Sequence, residues 1–351
     1  MAEEKTVQPT PSLLPWQAAA AAQLRQAWVA KRLSHALLLQ GAEGLGKRAF
    51  AAWLACAVLC ERSTETTLDC CGQCASCLLV KAGSHPDLLW VAPEEDKQQI
   101  SIDQVRAATE RLTKTSYRQG YKVALIEPAH QMTPNAANSV LKTLEEPSAR
   151  SLLVLITSRP SSLLPTVRSR CQKITIARPS RAEAIEWLRV QSGTAIEPAL
   201  LEFAGGAPLR ALDYADGRFG ALNEHMQKSL GDLLAGRADV TQVAAEWEKD
   251  ALVDRLTWLD LWLSSAARGA VAGTAELITF PGGSAHLPSL PRTLNISGVY
   301  SMVDRARALK AQLARTALQR ELAVESWLIA LLEMVMPAIA AQSRGSPPRS
   351  N

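Results

Sequence analysis

Residues 41–48 read Gly41-Ala42-Glu43-Gly44-Leu45-Gly46-Lys47-Arg48, and the fold turns on this stretch. The spacing is that of a phosphate-binding loop, GxxxxGK, in which glycines let backbone N–H groups and a helix N-terminus face a phosphate. Such a loop should close on Ser or Thr, whose hydroxyl reaches Mg²⁺; here Arg48 stands in that place. Glycines and a lysine without the metal-holding hydroxyl predict the architecture of an ATPase that lacks a competent site. The plain alternative is a Gly-rich turn carrying an exposed lysine.

The flanking residues supply the context the loop needs. Upstream, residues 35–40 (HALLLQ) form a short apolar run suited to a buried parallel strand. Downstream, Phe50, Trp53, Leu54, Ala57 and Val58 recur at i, i+3, i+4, i+7 and i+8, which predicts a helix packed on one face. Before the loop, Trp16, Leu24 and Trp28 fall at near-helical spacing. After it, residues 88–91, 123–126 and 152–156 read as strands. Between them, Ser101 and Gln104 form a capping box ahead of Val105, Ala108 and Leu112, and Ala136, Ala137, Val140, Leu141 and Leu144 stripe a helix that Pro147 ends. Strands alternating with helices predict a parallel sheet with helices on both faces.

Past residue 176 the pattern changes. Ser180 and Glu183 open another helix, carrying Ile185 and Leu188 and broken at Gly193; a helical pair brackets residues 205–208. From about Phe219 onward only helical spacing appears, as in Leu252, Leu256, Leu259 and Leu263, with Trp258, Trp262 and Trp327 expected in the core. Residues 281–291 read as a Gly/Pro loop, 1–12 as a loose leader and 342–351 as a disordered polar tail. No internal repeat is present.

Composition narrows the class. The 351 residues carry 38 Lys+Arg against 34 Asp+Glu, a formal charge of +4, too small to imply nucleic-acid binding by itself. No basic n-region precedes an apolar core, and no apolar run approaches the roughly 20 residues that cross a bilayer, so a cytoplasmic location is expected. Seven cysteines, four of them within residues 70–77, fit a metal site better than a disulfide framework.

Three stretches carry chemistry. The strand that should end in Asp-Glu, one to order Mg²⁺ and one to polarise water, ends instead in Glu127-Pro128, so the base is missing as well as the hydroxyl. Cys71, Cys74 and Cys77 stand at CxxCxxC spacing, and Cys60 can supply a fourth thiolate; four protein ligands leave no open position, so such a zinc is structural. An iron–sulfur cluster on the same ligands and reactive free thiols compete with zinc. Cys70 is an alternative ligand that spoils the phasing, and Cys56 reads as an ordinary buried cysteine. In Ser169-Arg170-Cys171, Arg170 is placed to act as an arginine finger on a neighbour's ATP, or, more plainly, to cap a helix C-terminus; Arg168 lies two residues away. The five histidines lack ligand-like spacing, and His85 reads as a loop residue.

Taken together, HALLLQGAEGLGKR, the cysteine cluster, KVALIEPAHQMTPNAANSVLKTLEEP, LLVLITSRPSSLLPTVRSRC and QRELAVESWLIALLE resemble the delta-prime subunits of the bacterial DNA polymerase III clamp loader, from Leu13 to about Ala340. VLKTLEEP and SRC are shared with the gamma and tau motor subunits; Arg48 and Glu127-Pro128 set this chain apart from them. The resemblance implies an α/β RecA-like AAA+ domain at 13–178 with an inserted zinc module at about 60–77, a small helical lid at 179–217 and an all-α collar for oligomerisation at 218–341. It implies a non-hydrolysing subunit of a DNA-directed DNA polymerase holoenzyme, with Arg170 acting in trans. Its partners in the hetero-oligomer are gamma/tau motor subunits and delta, which together load the sliding clamp onto primed DNA. The expected cofactor is structural zinc on Cys60, Cys71, Cys74 and Cys77. ATP binding at the degenerate set Gly41, Gly44, Gly46, Lys47, Arg48 and Glu127 is left open, because Lys47 is retained. Two further departures stand out: the Cys60 to Cys71 gap is slightly long, and the lid arginine comes one position late, at Arg210. The alternatives are an ATP-hydrolysing gamma/tau-type motor subunit and a zinc-ribbon nucleic-acid-binding protein.

Overall fold

The computed structural model describes residues 12–95, 97–192, 198–215, 217–272, 296–313 and 319–344. The expectations for residues 1–11, Gly193, 281–291 and 345–351 lie outside the described residues. The chain divides into two units, Met1–Ala184 and Ile185–Asn351.

In the first unit a 3-10 turn at Pro15–Gln17 leads into α1 (Ala18–Val29), then β1 (Ala36–Gln40), α2 (Lys47–Leu59), α3 (Ala75–Lys81), β2 (Leu88–Val91), α4 (Ile102–Thr113), β3 (Lys122–Ile126), α5 (Pro134–Glu145), β4 (Ser151–Thr157), α6 (Pro165–Arg170) and β5 (Gln172–Thr175). The strands form one sheet in the order β2-β3-β4-β1-β5. Every pairing is parallel, with Leu38 opposite Leu155 and Leu39 opposite Ile174. All seven residues of β4 and all five of β3 are buried, which is why these strands read as unbroken apolar runs. On one face Leu38, Ala124, Ile126, Leu153 and Leu155 pack with Val105 and Leu112 of α4 and Val140 and Leu144 of α5. The predicted Ser101–Gln104 capping box is formed, and Thr133 caps α5 with Pro134 in its first turn. Because the strands are parallel, their carboxyl ends gather the loop after β1, Glu127 after β3 and Thr157 of β4 on one side. This is the α/β RecA-like AAA+ architecture expected from the sequence. Two short helices, α3 inside the cysteine segment and α6 ahead of β5, were not expected.

The second unit contains no strand among its described residues. It comprises most of α7 (Arg181–Ser192), then α8 (Pro198–Phe203), α9 (Pro208–Tyr214), α10 (Arg218–Leu234), α11 (Val240–Lys249), α12 (Leu252–Ala272), α13 (Ile296–Leu313) and α14 (Arg320–Arg344). One apolar core runs through it, with Trp247, Trp258, Leu259, Trp327 and Leu331 buried. Trp258 stacks on Trp262 at 6.0 Å and donates Nε1–H to Asn223 Oδ1 at 2.9 Å, so the buried indole keeps a polar partner. Phe203 of α8 packs on Phe219 of α10 with ring centroids 4.5 Å apart. Helix α14 takes in residues 342–344 of the stretch read as a tail. No helix among the described residues is long and apolar enough to cross a membrane.

Candidate functional site

The sequence-predicted loop residues come together at the carboxyl end of β1. Gly46 is the N-cap of α2 at φ 75°, a left-handed conformation that glycine adopts without strain. A Cβ on Gly41 would sit 2.7 Å from the Ile176 carbonyl oxygen, so the close approach of two backbones excludes any side chain there. The loop is braced from outside by residues the motif does not contain. Trp16 Nε1 donates to Leu45 O at 3.1 Å, and Gln17 Nε2 donates to Leu45 O at 3.0 Å and Gly46 O at 2.9 Å. Lys47 folds back onto its own loop, its Nζ donating to Ala42 O at 2.8 Å. Burial pulls the Lys47 amine below its ordinary range, with Glu43 and Glu127 pulling the other way.

Arg48 turns toward the neighbouring strands. Its Nε lies 3.6 Å from Glu127 Oε2, an ion pair too long to be a hydrogen bond, and its guanidinium lies 4.9 Å from the Trp90 ring centroid. Burial raises the Glu127 carboxyl above the usual carboxylate range, while the Arg48 and Lys47 charges hold it down. The next residue, Pro128, offers no carboxylate. Beside the loop, His130 Nδ1 bonds Thr157 Oγ1 at 3.0 Å, and burial followed by the charge of Arg159 pushes that imidazole below the usual histidine range. A cation thus stands beside the Glu127 carboxylate, at the sequence position where a GK[ST] loop carries its metal-binding hydroxyl. Gln17, Trp90 and His130 carry no motif signal and Trp16 reads from the sequence only as a helix position, because only the sheet order and the chain entry bring them to the loop.

Arg170 closes α6. Its Nη2 lies 2.8 Å from Glu145 Oε1 and its Nη1 donates to Thr166 O at 3.0 Å; none of its bonds reaches the loop residues. Arg168 is engaged separately, donating to Pro160 O at 3.4 Å. In the second unit Arg210 is tied to its own helix and to α12: it donates to Tyr214 Oη at 2.8 Å and to Asp254 Oδ1 at 3.0 Å. Burial, then the hydrogen bond to Asp254, pushes the Tyr214 hydroxyl up to about 12.

The Sγ atoms of Cys60, Cys71, Cys74 and Cys77 lie within 4.8 Å of one another, with Cys60 to Cys74 and Cys71 to Cys77 both at 3.9 Å. A tetrahedral zinc with Zn–S bonds of about 2.3 Å needs S···S edges of about 3.8 Å, so the donor set fits the ion. The end of α2 supplies Cys60, and the turn opening α3 supplies the rest. Backbone N–H groups already point at the sulfurs, Cys74 N to Cys71 Sγ at 3.3 Å and Cys77 N to Cys74 Sγ at 3.4 Å. Hydrogen bonds from the Gln73 and Cys74 backbones hold the Cys71 thiol down to about 6, whereas burial pushes Cys77 up to about 12. Cys70 lies outside this set, and the neighbouring Cys56 thiol holds the Cys70 thiol down to about 7. The module is pinned to α1 by Arg25 to Asp69 at 2.7 Å and by Trp28 Nε1 donating to Thr64 O at 2.8 Å.

Comparison with known proteins agrees with this construction. The family model described as DNA polymerase III, delta subunit, matches residues 16–180, and that described as DNA polymerase III, delta subunit, C terminal, matches residues 222–333. Among curated relatives, DNA polymerase III subunit delta' of Pseudomonas aeruginosa is 36% identical over 255 residues, 71% of this chain and 76% of that protein. The protein of the same description from Escherichia coli is 31% identical over 330 residues, 93% of this chain and 97% of that protein. Among solved structures, a DNA polymerase III gamma subunit-related protein from Thermotoga maritima covers 89% of this chain and 98% of its own at 16% identity, with a TM-score of 0.41. Since relatives described as delta' are matched along most of their length, the resemblance carried by the motifs is one of kinship, and the chain belongs to the delta-prime subunit family of the DNA polymerase III clamp loader.

Proposed function

We propose that this delta-prime subunit is a non-hydrolysing member of its ring, which contributes to ATP turnover only by lending Arg170 to the nucleotide of an adjacent gamma/tau motor subunit. The observation that carries the reading is Arg48, held 3.6 Å from Glu127 where a hydroxyl and Mg²⁺ would stand in a working loop, with Pro128 next in the chain. Lys47 bonded to Ala42 O and Arg210 bonded to Asp254 support it, since both cations are engaged within the chain. Arg170 is held by a solvated partner, so releasing it toward a neighbour costs little. Zinc on Cys60, Cys71, Cys74 and Cys77 supplies cross-linking and no chemistry; the four thiolates and the N–H groups aimed at them hold the loop between α2 and α3.

The domain partition that accompanies this reading is a RecA-like domain at 13–178 with its zinc module, a lid at 179–217 and a collar at 218–341. Leu322, Ile329 and Met336, exposed at seven-residue intervals along α14, support a helical collar that packs on other subunits. The chain would work in the cytoplasm, in an assembly with motor subunits and delta that loads the sliding clamp onto primed DNA. The test is ATP hydrolysis by the purified chain, with and without primed DNA. Background turnover is expected; turnover comparable to a motor subunit refutes the reading.

A further inference from the structure

Three of the four clustered sulfurs sit on one short turn, and the fourth comes from elsewhere in the chain. Cys71, Cys74 and Cys77 are set by the start of α3, where Cys74 is the N-cap and its side chain accepts from Cys77 N. Cys60 is instead the C-cap of α2 and leaves that helix in an extended conformation. Ten residues, 61–70, lie between it and Cys71. Closing that stretch costs chain entropy, so metal affinity depends on how firmly the fold sets Cys60 against the turn before the ion arrives. Arg25 and Trp28 hold the stretch against α1, and neither of those bonds reaches α3.

Glu61, the residue after Cys60, makes the missing tie. Its Oε1 accepts from the Ser76 backbone N–H at 3.2 Å and from Ser76 Oγ at 3.0 Å. Ser76 lies directly before Cys77, in the first turn of α3, where a backbone N–H has no carbonyl partner within the helix and a carboxylate is favoured. Ser76 is 1% exposed, so losing the carboxylate strands two donors where water reaches poorly. One oxygen thus joins the residue after the first sulfur ligand to the residue before the last.

Glu61 is itself anchored to the sheet. Arg118, in the loop between α4 and β3, donates from Nη2 to the same oxygen. Asp87, buried just before β2, fixes that loop by accepting from Ser116 Oγ at 2.9 Å, Tyr117 N at 2.9 Å and Arg118 N at 3.0 Å. The Asp87 N–H in turn donates to His85 Nδ1 at 3.1 Å. The restraint runs from the start of β2 through Asp87, Arg118 and Glu61 to Ser76. The Arg118 ion pair is solvated, with side chains 36% and 42% exposed, and adds little by itself. The bonds to the buried Ser76 are the ones whose loss is felt at the cysteines.

We propose that Glu61 is a positioning residue for the metal: its hydrogen bonds to Ser76 set Cys60 against the turn carrying Cys71, Cys74 and Cys77 before zinc binds, which rests on the reading of those four cysteines as a zinc site. Glu61 does not touch the ion; it acts through the ligands on either side of the gap. Groups that orient metal ligands from outside the coordination shell contribute about 10- to 100-fold in affinity.

The test measures the zinc affinity of the full chain by competition with a chromogenic chelator, in the parent, Glu61→Ala and Glu61→Gln. Glu61→Ala should bind zinc about tenfold more weakly or worse. Glu61→Gln keeps an amide oxygen for Ser76 and should recover most of that loss. Thermal melting separates positioning from plain stabilisation. A residue that only stabilises the fold lowers the Tm of the zinc-loaded and zinc-free chains alike, whereas Glu61→Ala should shrink the rise in Tm that zinc gives. Unchanged affinity in Glu61→Ala, a loss that Glu61→Gln shares in full, or an equal fall in both melting temperatures overturns the proposal. A parent chain that takes up no zinc overturns the zinc reading itself, and the role of Glu61 with it.

Discussion

Replacing Arg170 by alanine distinguishes an arginine finger from a surface ion pair by orders of magnitude. Arg170 Nη2 sits 2.8 Å from Glu145 Oε1 with the two side chains 39% and 52% exposed. Pairs this solvated contribute about 0.2–1 kcal/mol, so losing one changes any equilibrium by a factor of about five or less. An arginine lent to a neighbour's nucleotide contributes about 10³ to 10⁵ in rate, or roughly 4–7 kcal/mol of barrier. The assay is DNA-stimulated ATPase of the loader reconstituted with Arg170→Ala, beside sedimentation velocity to follow assembly. The variant should assemble as the parent does, while turnover at the site it serves falls by about 10³ or more, so that total turnover drops by that site's share. Glu145→Gln is the companion: it frees Arg170 and should leave turnover within about fivefold of the parent. Unchanged turnover in Arg170→Ala removes the finger. A loss in Glu145→Gln as deep as in Arg170→Ala shows that the pair itself, and not the guanidinium in trans, is what the loader needs.

Four further outcomes follow from the structure. The purified chain should carry zinc by atomic emission, lose it in Cys60→Ser or Cys77→Ser and keep it in Cys70→Ser; retention in Cys60→Ser reassigns the fourth ligand. Because zinc takes thiolates, protons compete with it, and a chromogenic chelator should extract it more readily as pH falls toward the Cys71 value of about 6. Arg48→Thr restores a hydroxyl but leaves Pro128, so phosphate release should stay at background; turnover like that of a motor subunit would show that Pro128 does not disable the site. His85 has a depressed folded-state pKa because burial disfavours its charge, so the unfolded chain takes up the proton first and stability is lost as pH falls below 6.5. Urea midpoints at pH 7.5 and 5.5 should therefore differ less in His85→Phe than in the parent, and an equal difference contradicts the assignment.

Periodicity made most of the first unit legible. Strands β3 and β4 carry unbroken apolar runs at 123–126 and 152–156 because helices cover both sheet faces, and the α5 stripe of Ala136, Val140 and Leu144 is the face that meets them. The cysteine spacing was legible for a similar reason, since CxxCxxC puts three sulfurs on one short turn whatever surrounds it. His85 was not: a histidine between Ser84 and Pro86 looks like any loop residue until the chain packs around it and leaves Nε2 buried without a partner. The boundaries of the second unit were equally hard to read, because a helix-only pattern continues without punctuation and Phe203 shares a core with Phe219.

By itself, the sequence from Gly41 to Arg48 determined that a phosphate-loop turn would form and that its metal-holding hydroxyl is gone, because both depend on residue identity at fixed spacing. Only the tertiary structure decided what Arg48 does instead. Parallel strand order lays Trp90 of β2 and Glu127 after β3 beside the start of α2, so the arginine finds an aromatic face more than 40 residues away in the chain and a carboxylate more than 70 residues away. That partnership depends on long-range packing, which no local pattern encodes.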